Sequence, residues 1–312
     1  MNIKNIQTRS QVVSGIRAWF DARGFTEVHT PRLVGLPGQE PYLEPFWTEV
    51  QEQGGEQRTQ NVALITSPEY AMKRLLAEGM EKIYDLGPCF RNGEPWDGVH
   101  DPEFLMLEWY QKGISLSELM DQTEEMVRGV ADKMRLSPAV LSRSWRRMTV
   151  AEAFREYLDM DIESMLEDFN EDEFFKLFLT HIEPKLSTNQ PTFLYRYPIQ
   201  LASLAKPCED DPRFAERVEL YIGGLEIANG FEELTDADAQ RKRFLEEQNL
   251  RKESGKKTWA LDEGFLSDLP KMGPTSGIAF GVDRFVMLLT GSSSINDVIP
   301  YSARERFAQE KK

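Results

Sequence analysis

The sequence predicts an α/β (α+β) fold, antiparallel strand pairs flanked by helices, and three patterns carry that prediction. Residues 82–113 read as two extended runs around a polar loop containing Gly and Pro, the signature of a hairpin. Residues 217–236 hold a second pair of runs joined by Gly223-Gly224, a strong two-residue hairpin turn. Around them lie stretches of helical spacing, the longest at 8–24 and 116–135.

A chain of 312 residues, 40% hydrophobic and 29% charged, is long enough for one large domain with its own core. It shows no apolar run of membrane-spanning length and no signal-peptide pattern, so a cytoplasmic location without membrane attachment is expected. Two cysteines, Cys89 and Cys208, make neither a disulfide framework nor a zinc pattern, and Cys89 reads as a small core residue. The net charge of −15 matters more. Proteins that hold nucleic acid neutralise its phosphates with basic stripes. This chain has no run of Lys and Arg, so stable tRNA binding is not expected.

In the first helix Thr8 and Gln11 form a capping-box pattern, Val12, Ile16, Trp19 and Phe20 follow helical spacing, and Gly24 suits the C-terminal cap. The run FTEVHTPRL follows as a strand ending at Pro31. Residues 64–76 read as a strand, a turn at Ser67-Pro68 and a helix from about Glu69, where a proline and an acid suit a helix start. In the second run of the first hairpin, Leu105, Leu107 and Trp109 point into a core. Phe104, Met106, Glu108 and Tyr110 point the other way. A carboxylate beside a phenol and an aromatic ring suits the floor of a pocket for a ligand with a flat ring and a cationic group, and Arg91 is placed to clamp an anion.

From 116 to 135 an amphipathic helix turns Leu119, Met120, Val127, Val130 and Met134 to one side. Thr149 with Glu152, and Asn170 with Glu173, cap two further helices. The expected organisation is a single domain, 1–312, with a helical insertion at about 114–190.

In the second hairpin, pairing Ile222 with Leu225 sets Tyr221 opposite Glu226 and Glu219 opposite Ala228. Glu219 and Glu226 are then diagonal neighbours about 7–8 Å apart, with no basic residue of the hairpin obviously placed to neutralise them. Oxygen ligands of this kind suit Mg²⁺, which also bridges nucleotide phosphates, although the same spacing describes an exposed acidic face without metal. Strict alternation puts Asn229 and Glu233 on the face opposite Glu226, and only a bulge or strand end near residues 228–230 would bring them round. Residues 276–290 read as a Gly-bearing strand running into a helix.

The ordered pattern FRN, loop, HDPEF-x-MLEWY resembles motif 2 of the class II aminoacyl-tRNA synthetases, specifically the lysyl branch. SGIAFGVDRFVMLLT resembles motif 3, and the opening helix, strand and Pro31 resemble motif 1, which in that family forms the dimer interface. The resemblance implies the class II catalytic core as the fold, ATP and Mg²⁺ as cofactors, and a homodimer. It makes Arg91 and Arg284 the catalytic charges on the phosphates. Asn92, Gly93, Glu94, Ile227 and Gly281 join the ATP site, with His100 and Asp101 of the motif 2 loop, and Phe104, with His100 nearby, sandwiches adenine. GLEIANGFEELTD is similar to the lysyl segment in which a Glu pair, here Glu219 and Glu226, holds ATP-linked Mg²⁺. In that segment Asn229, Phe231 and Glu233 belong to the amino-acid site. Ser67, Pro68 and Glu69 hold the substrate from the other side, Glu69 facing the amino group nearest its carboxylate, with Glu108 and Tyr110 on the floor.

From motif 1 to its end the chain is most similar to the elongation factor P β-lysine ligases, paralogues of lysyl-tRNA synthetase, and no anticodon-reading OB-fold is read ahead of the first helix. That similarity implies activation of (R)-β-lysine and transfer to the ε-amine of a lysine on elongation factor P. Ala279 stands where lysyl-tRNA synthetases have Gly. A methyl there disfavours an α-amino group by about 1–3 kcal/mol. Two positions depart from the family pattern: the run 91–94 lengthens the motif 2 loop by one residue, and Asp101 replaces an Asn, adding negative charge near the phosphates. Two alternatives stand beside this reading. One is a ligase activating lysine or another diamino acid for a different acceptor; the other is an inactive paralogue serving as a binding or regulatory subunit.

Overall fold

α1 (Ile3–Asp21) leads into two short strands, β1 (Thr26–Glu27) and β2 (Leu33–Val34). β3 (Trp47–Glu52) and β4 (Arg58–Leu64) precede α2 (Glu69–Ala77), and β5 (Lys82–Phe90) and β6 (Glu103–Lys112) form the first hairpin. Next come α3 (Leu116–Met134), β7 (Arg146–Thr149), α4 (Val150–Leu158), α5 (Glu163–Leu166), α6 (Glu171–Leu177) and β8 (Thr192–Pro198). β9 (Phe214–Ile222) and β10 (Leu225–Glu232) form the second hairpin. The last elements are α7 (Ala237–Glu253), α8 (Glu263–Met272), β11 (Thr275–Gly281), α9 (Val282–Thr290) and α10 (Ala303–Phe307). This is a computed structural model, and it describes residues 2–52, 58–187 and 189–307.

Eight strands form one sheet in the order β1-β5-β6-β11-β10-β9-β8-β7, and β2, β4 and β3 form a small second sheet. Pairing is antiparallel through the middle of the large sheet and parallel only at its two edges, β1 with β5 and β7 with β8. The mainly antiparallel α/β architecture expected from the sequence is therefore present. β11 slots between the two hairpins, pairing with β6 on one side and β10 on the other.

One face of the sheet is covered by α1, α3 and α9, whose Ile16, Phe20, Met126, Val127, Phe285 and Val286 bury against Leu107, Trp109, Leu220 and Phe280. Phe20 stacks on Tyr84 at 4.7 Å and meets Trp109 edge-on at 5.3 Å, arrangements that suit the ring quadrupoles. Trp109 keeps its indole N–H satisfied by donating to Gln122 Oε1 at 2.7 Å. The alternation along β6 thus sends Leu107 and Trp109 to this core and leaves Met106, Glu108 and Tyr110 on the opposite face.

Two local expectations are corrected. The first helix starts at Ile3, not Thr8: Asn2 caps it, accepting from the Lys4 and Asn5 N–H groups, while Thr8 lies inside the helix and donates to Lys4 O at 3.0 Å. A short polar side chain farther upstream satisfies the free N–H groups first. The run FTEVHTPRL is not one strand, because Thr30 and Arg32 turn inward to the buried carboxylate of Asp85 on β5, the Thr30 N–H and hydroxyl both at 2.9 Å. The other starts hold: α2 begins at Glu69 with Ser67 Oγ taking its N–H, Thr149 and Glu152 close a capping box on α4, and Asn170 caps α6. The segment at 114–190 is mostly helical but also supplies β7 to the sheet edge, and α3 belongs to the main core.

Candidate active site

On the face away from α1, strand register builds a row of side chains. Glu108 of β6 is paired with Ala279 of β11, Ala279 with Asn229 of β10, and Asn229 with Glu219 of β9. The second hairpin starts as expected, with Gly223 and Gly224 at φ +62 and +81 in the turn, Leu225 opposite Ile222 and Glu226 opposite Tyr221. The register then shifts between Glu226 and Ala228, so Glu219 faces Asn229 rather than Ala228. One extra residue on a strand switches the face of everything beyond it. The bulge at Ile227 therefore brings Asn229 and Phe231 onto the face of Glu226.

A cavity of about 360 Å³ lies over this face. Its floor includes Glu226, Ile227, Asn229, Phe231, Ala279 and Gly281, and its walls include Ser67, Glu69, Arg91, Glu94, His100, Phe104 and Arg284. The Arg91 guanidinium sits 5.1 Å from the Phe104 ring centroid. Arg284 donates through Nη1 to the Glu226 carbonyl at 2.9 Å and through Nη2 to His100 Nε2 at 2.9 Å. An arginine only donates, so His100 Nε2 accepts and the ring proton sits on Nδ1, 3.0 Å from Asp97.

Several expected residues stand elsewhere. Asn92 and Gly93 are exposed and do not line the cavity; the Asn92 N–H instead donates to Glu44 O at 2.7 Å. Pro68 lines a smaller neighbouring cavity. Glu108, Tyr110, Glu233 and Glu219 are buried below the cavity surface. Asp101 touches the cavity, but its carboxylate accepts from the Ala303 N–H at 2.6 Å and from Arg306 at 3.0 Å, so its charge is taken up by the C-terminal segment rather than added at a phosphate.

Beneath the Ser67 wall lies a buried charge network that the sequence reading missed. Lys73, 2% exposed, places Nζ 2.5 Å from Glu69 Oε1 and 2.5 Å from Glu233 Oε2. Burial opposes its charge, but the two carboxylates outweigh that and hold its pKa above the ordinary lysine range. Ser67 Oγ and the Tyr110 hydroxyl donate to Glu108 at 2.7 and 2.5 Å. Burial, then the charge of Glu69, pushes the Glu108 carboxyl up to about 8, and burial pushes Glu233 up to about 8 against the pull of Lys73. An arriving ammonium would stabilise the ionised forms of these acids. The spacing of Glu69 and Lys73, four apart at a helix start, was a readable signal for half of this network.

The acidic hairpin also differs from expectation in having its own cation. Arg217 donates from Nη2 to Glu219 Oε1 at 2.5 Å and from Nε to Asn229 Oδ1 at 3.3 Å. The hydroxyls of Tyr197 and Tyr221 donate to Glu219 Oε2 at 2.5 and 2.6 Å. Arg217 precedes Glu219 by two residues on one strand face, a spacing the sequence does display. The donor set still fits Mg²⁺: the Glu226 side chain is 39% exposed, and Glu219 Oε1 retains a free lone pair. Among the described residues no group of three or more His, Cys, Asp or Glu could hold a metal.

The chain matches the tRNA synthetases class II (D, K and N) family over residues 2–305. It is 37% identical over 320 residues to the elongation factor P–(R)-β-lysine ligase of Proteus mirabilis (strain HI4320), covering 96% of this chain and 95% of that protein. The proteins of the same name from Photorhabdus laumondii and Yersinia enterocolitica are each 36% identical, with the same shares covered. The motif 2 hairpin, the bulged acidic hairpin and β11 running into α9 thus meet in one cavity in a chain that belongs to the class II tRNA synthetase family, on the branch of the elongation factor P–(R)-β-lysine ligases.

Proposed function

We propose that this protein uses ATP to activate (R)-β-lysine and passes the acyl group to the ε-amine of a lysine on elongation factor P. The observation that carries this reading is one cavity with two arginines, Arg91 and Arg284, on its walls and a cluster of buried carboxylates around Ser67 below it. In the first step a carboxylate oxygen of the diamino acid attacks the α-phosphorus of ATP, and pyrophosphate leaves as the bond to the bridging oxygen breaks. In the second, the acceptor amine attacks the adenylate carbonyl, AMP leaves, and the nitrogen loses a proton as the amide forms. Phosphoryl chemistry of this kind needs positioning and charge stabilisation rather than covalent help. Arg91 and Arg284 supply fixed positive charge, and the Phe104 ring with His100 offers flat surfaces for adenine. Glu226 and Glu219 would hold Mg²⁺, which neutralises phosphate charge when bound. Asn229, Glu69 and the Glu108–Tyr110 pair orient the diamino acid against Ala279.

The reading includes a homodimer through the α1 to Pro31 segment, and a cytoplasmic location, which the two free buried thiols support. Among the described residues no helix is long and apolar enough to cross a membrane. ATP–pyrophosphate exchange with (R)-β-lysine, α-lysine and ornithine is the test, followed by the mass shift of purified elongation factor P. Fastest exchange with (R)-β-lysine and one added acyl group are expected. Faster exchange with α-lysine would overturn the role of Ala279, and no exchange with any amino acid would overturn the enzyme reading.

A further inference from the structure

The chain between β2 and β3 forms a collar at the cavity, and it carries a carboxylate with no part in the two steps of the reaction. Glu40 lines both the main cavity and its smaller neighbour. Its position is built. The carboxylate lies against the Cα of Gly38, where a β-carbon would overlap it. Arg251 of α7, fully buried, donates to Glu40 O and Leu43 O at 2.9 Å each and to Glu44 Oε2 at 2.7 Å. Trp259 Nε1 holds Pro37 O at 2.9 Å, and Lys256 Nζ holds Pro41 O at 2.6 Å. A buried guanidinium is costly unless its donors are satisfied, and here two collar carbonyls, the Glu44 carboxylate and Lys257 O accept from it.

The acids around the cavity differ in how their charge is met. Glu69 and Glu233 share Lys73, Glu226 lies 3.7 Å from Arg284, and Glu108 accepts from Ser67 and Tyr110. Glu40 forms no salt bridge among the described residues; burial and then the charge of Glu69 raise its pKa, and the more distant charges of Arg91 and Arg251 offset this only in part. A rigid, partly buried carboxylate beside another carboxylate is a seat for a cation. A diamino acid brings two, of which the buried pair Glu108–Tyr110 suits the distal one.

We propose that Glu40 is a specificity-determining residue whose carboxylate receives the substrate ammonium nearer the reacting carboxylate, with Glu69, already shared with Lys73, in a supporting part. This rests on the diamino-acid reading of the site. The test is exchange kinetics of Glu40→Gln with (R)-β-lysine and with 6-aminohexanoate, which keeps the distal ammonium and lacks the near one. For the diamino acid KM rises about ten-fold or more with kcat changed less than about three-fold, whereas for 6-aminohexanoate variant and wild type agree within about two-fold. An unchanged KM for the diamino acid, or an equal penalty with both compounds, overturns the inference. If Glu40→Gln melts early, Glu40→Asp must show the same selective penalty in smaller measure, and its absence is equally fatal. Wild-type protein inactive with every diamino acid would instead bring down the functional reading itself.

Discussion

Lys73 places a full positive charge between two carboxylates that the family resemblance assigns to the substrate. Deleting one partner of a buried pair leaves uncompensated charge, so Lys73→Met is expected to cost about 3–5 kcal/mol in chemical denaturation and to raise KM for the diamino acid in exchange assays. The neighbouring acids give a pH signature. Glu108, raised to about 8 by burial and then the charge of Glu69, holds a proton in the ligand-free protein at neutral pH that the unfolded chain has already released. Its contribution to stability is therefore complete below pH ~4.5 and is lost as pH rises toward 8, so the melting temperature of the ligand-free protein should decline across that window on its account. An ammonium favours the ionised carboxylates, so diamino-acid binding at pH 7 should release protons. Calorimetry in buffers of different ionisation enthalpy measures this, and an observed heat independent of buffer would contradict it. At this scale the residue types were legible in the sequence, and so was the spacing of Glu69 to Lys73. Glu233 joining the same ammonium was not, because it lies far along the chain and arrives only through the sheet.

The secondary-structure elements followed their local signals where those signals were strong. Capping boxes at Thr149 and the hairpin turn at Gly223-Gly224 form as read, because each depends only on near neighbours. Thr149→Ala removes the hydroxyl that accepts the Glu152 N–H and should destabilise by about 1 kcal/mol in thermal or denaturant melts, with exchange activity unaltered. The first helix shows the limit: a plausible capping pattern at Thr8 loses to Asn2, since a helix extends to whichever start is satisfied farthest upstream. The bulge at Ile227 is the more consequential case. Strict period-two alternation separates Asn229 from Glu226, and a single unpaired residue reverses the facing of the rest of the strand. Composition near Ala228 and Gly230 permitted a bulge without requiring one.

For the molecule as a whole, the order of the sheet decides what the site contains. β11 lies between hairpins that are distant in sequence, and only there can Ala279 stand between Glu108 and Asn229. The net charge of −15 acts at the same scale. Mobility-shift titrations with lysine tRNA at physiological salt should show no complex at about 1 μM protein, since counterion release needs a basic stripe that this chain does not display as a run. Periodicity and turn chemistry directed this polypeptide to its hairpins and its main helices, because those features arise from contacts a few residues apart, while the family was legible through the resemblance of its ordered motifs. Which acids share a cation, which side of β10 faces the cavity, and where Asp101 directs its charge were settled only on folding, because register and burial depend on partners that the chain order does not place side by side.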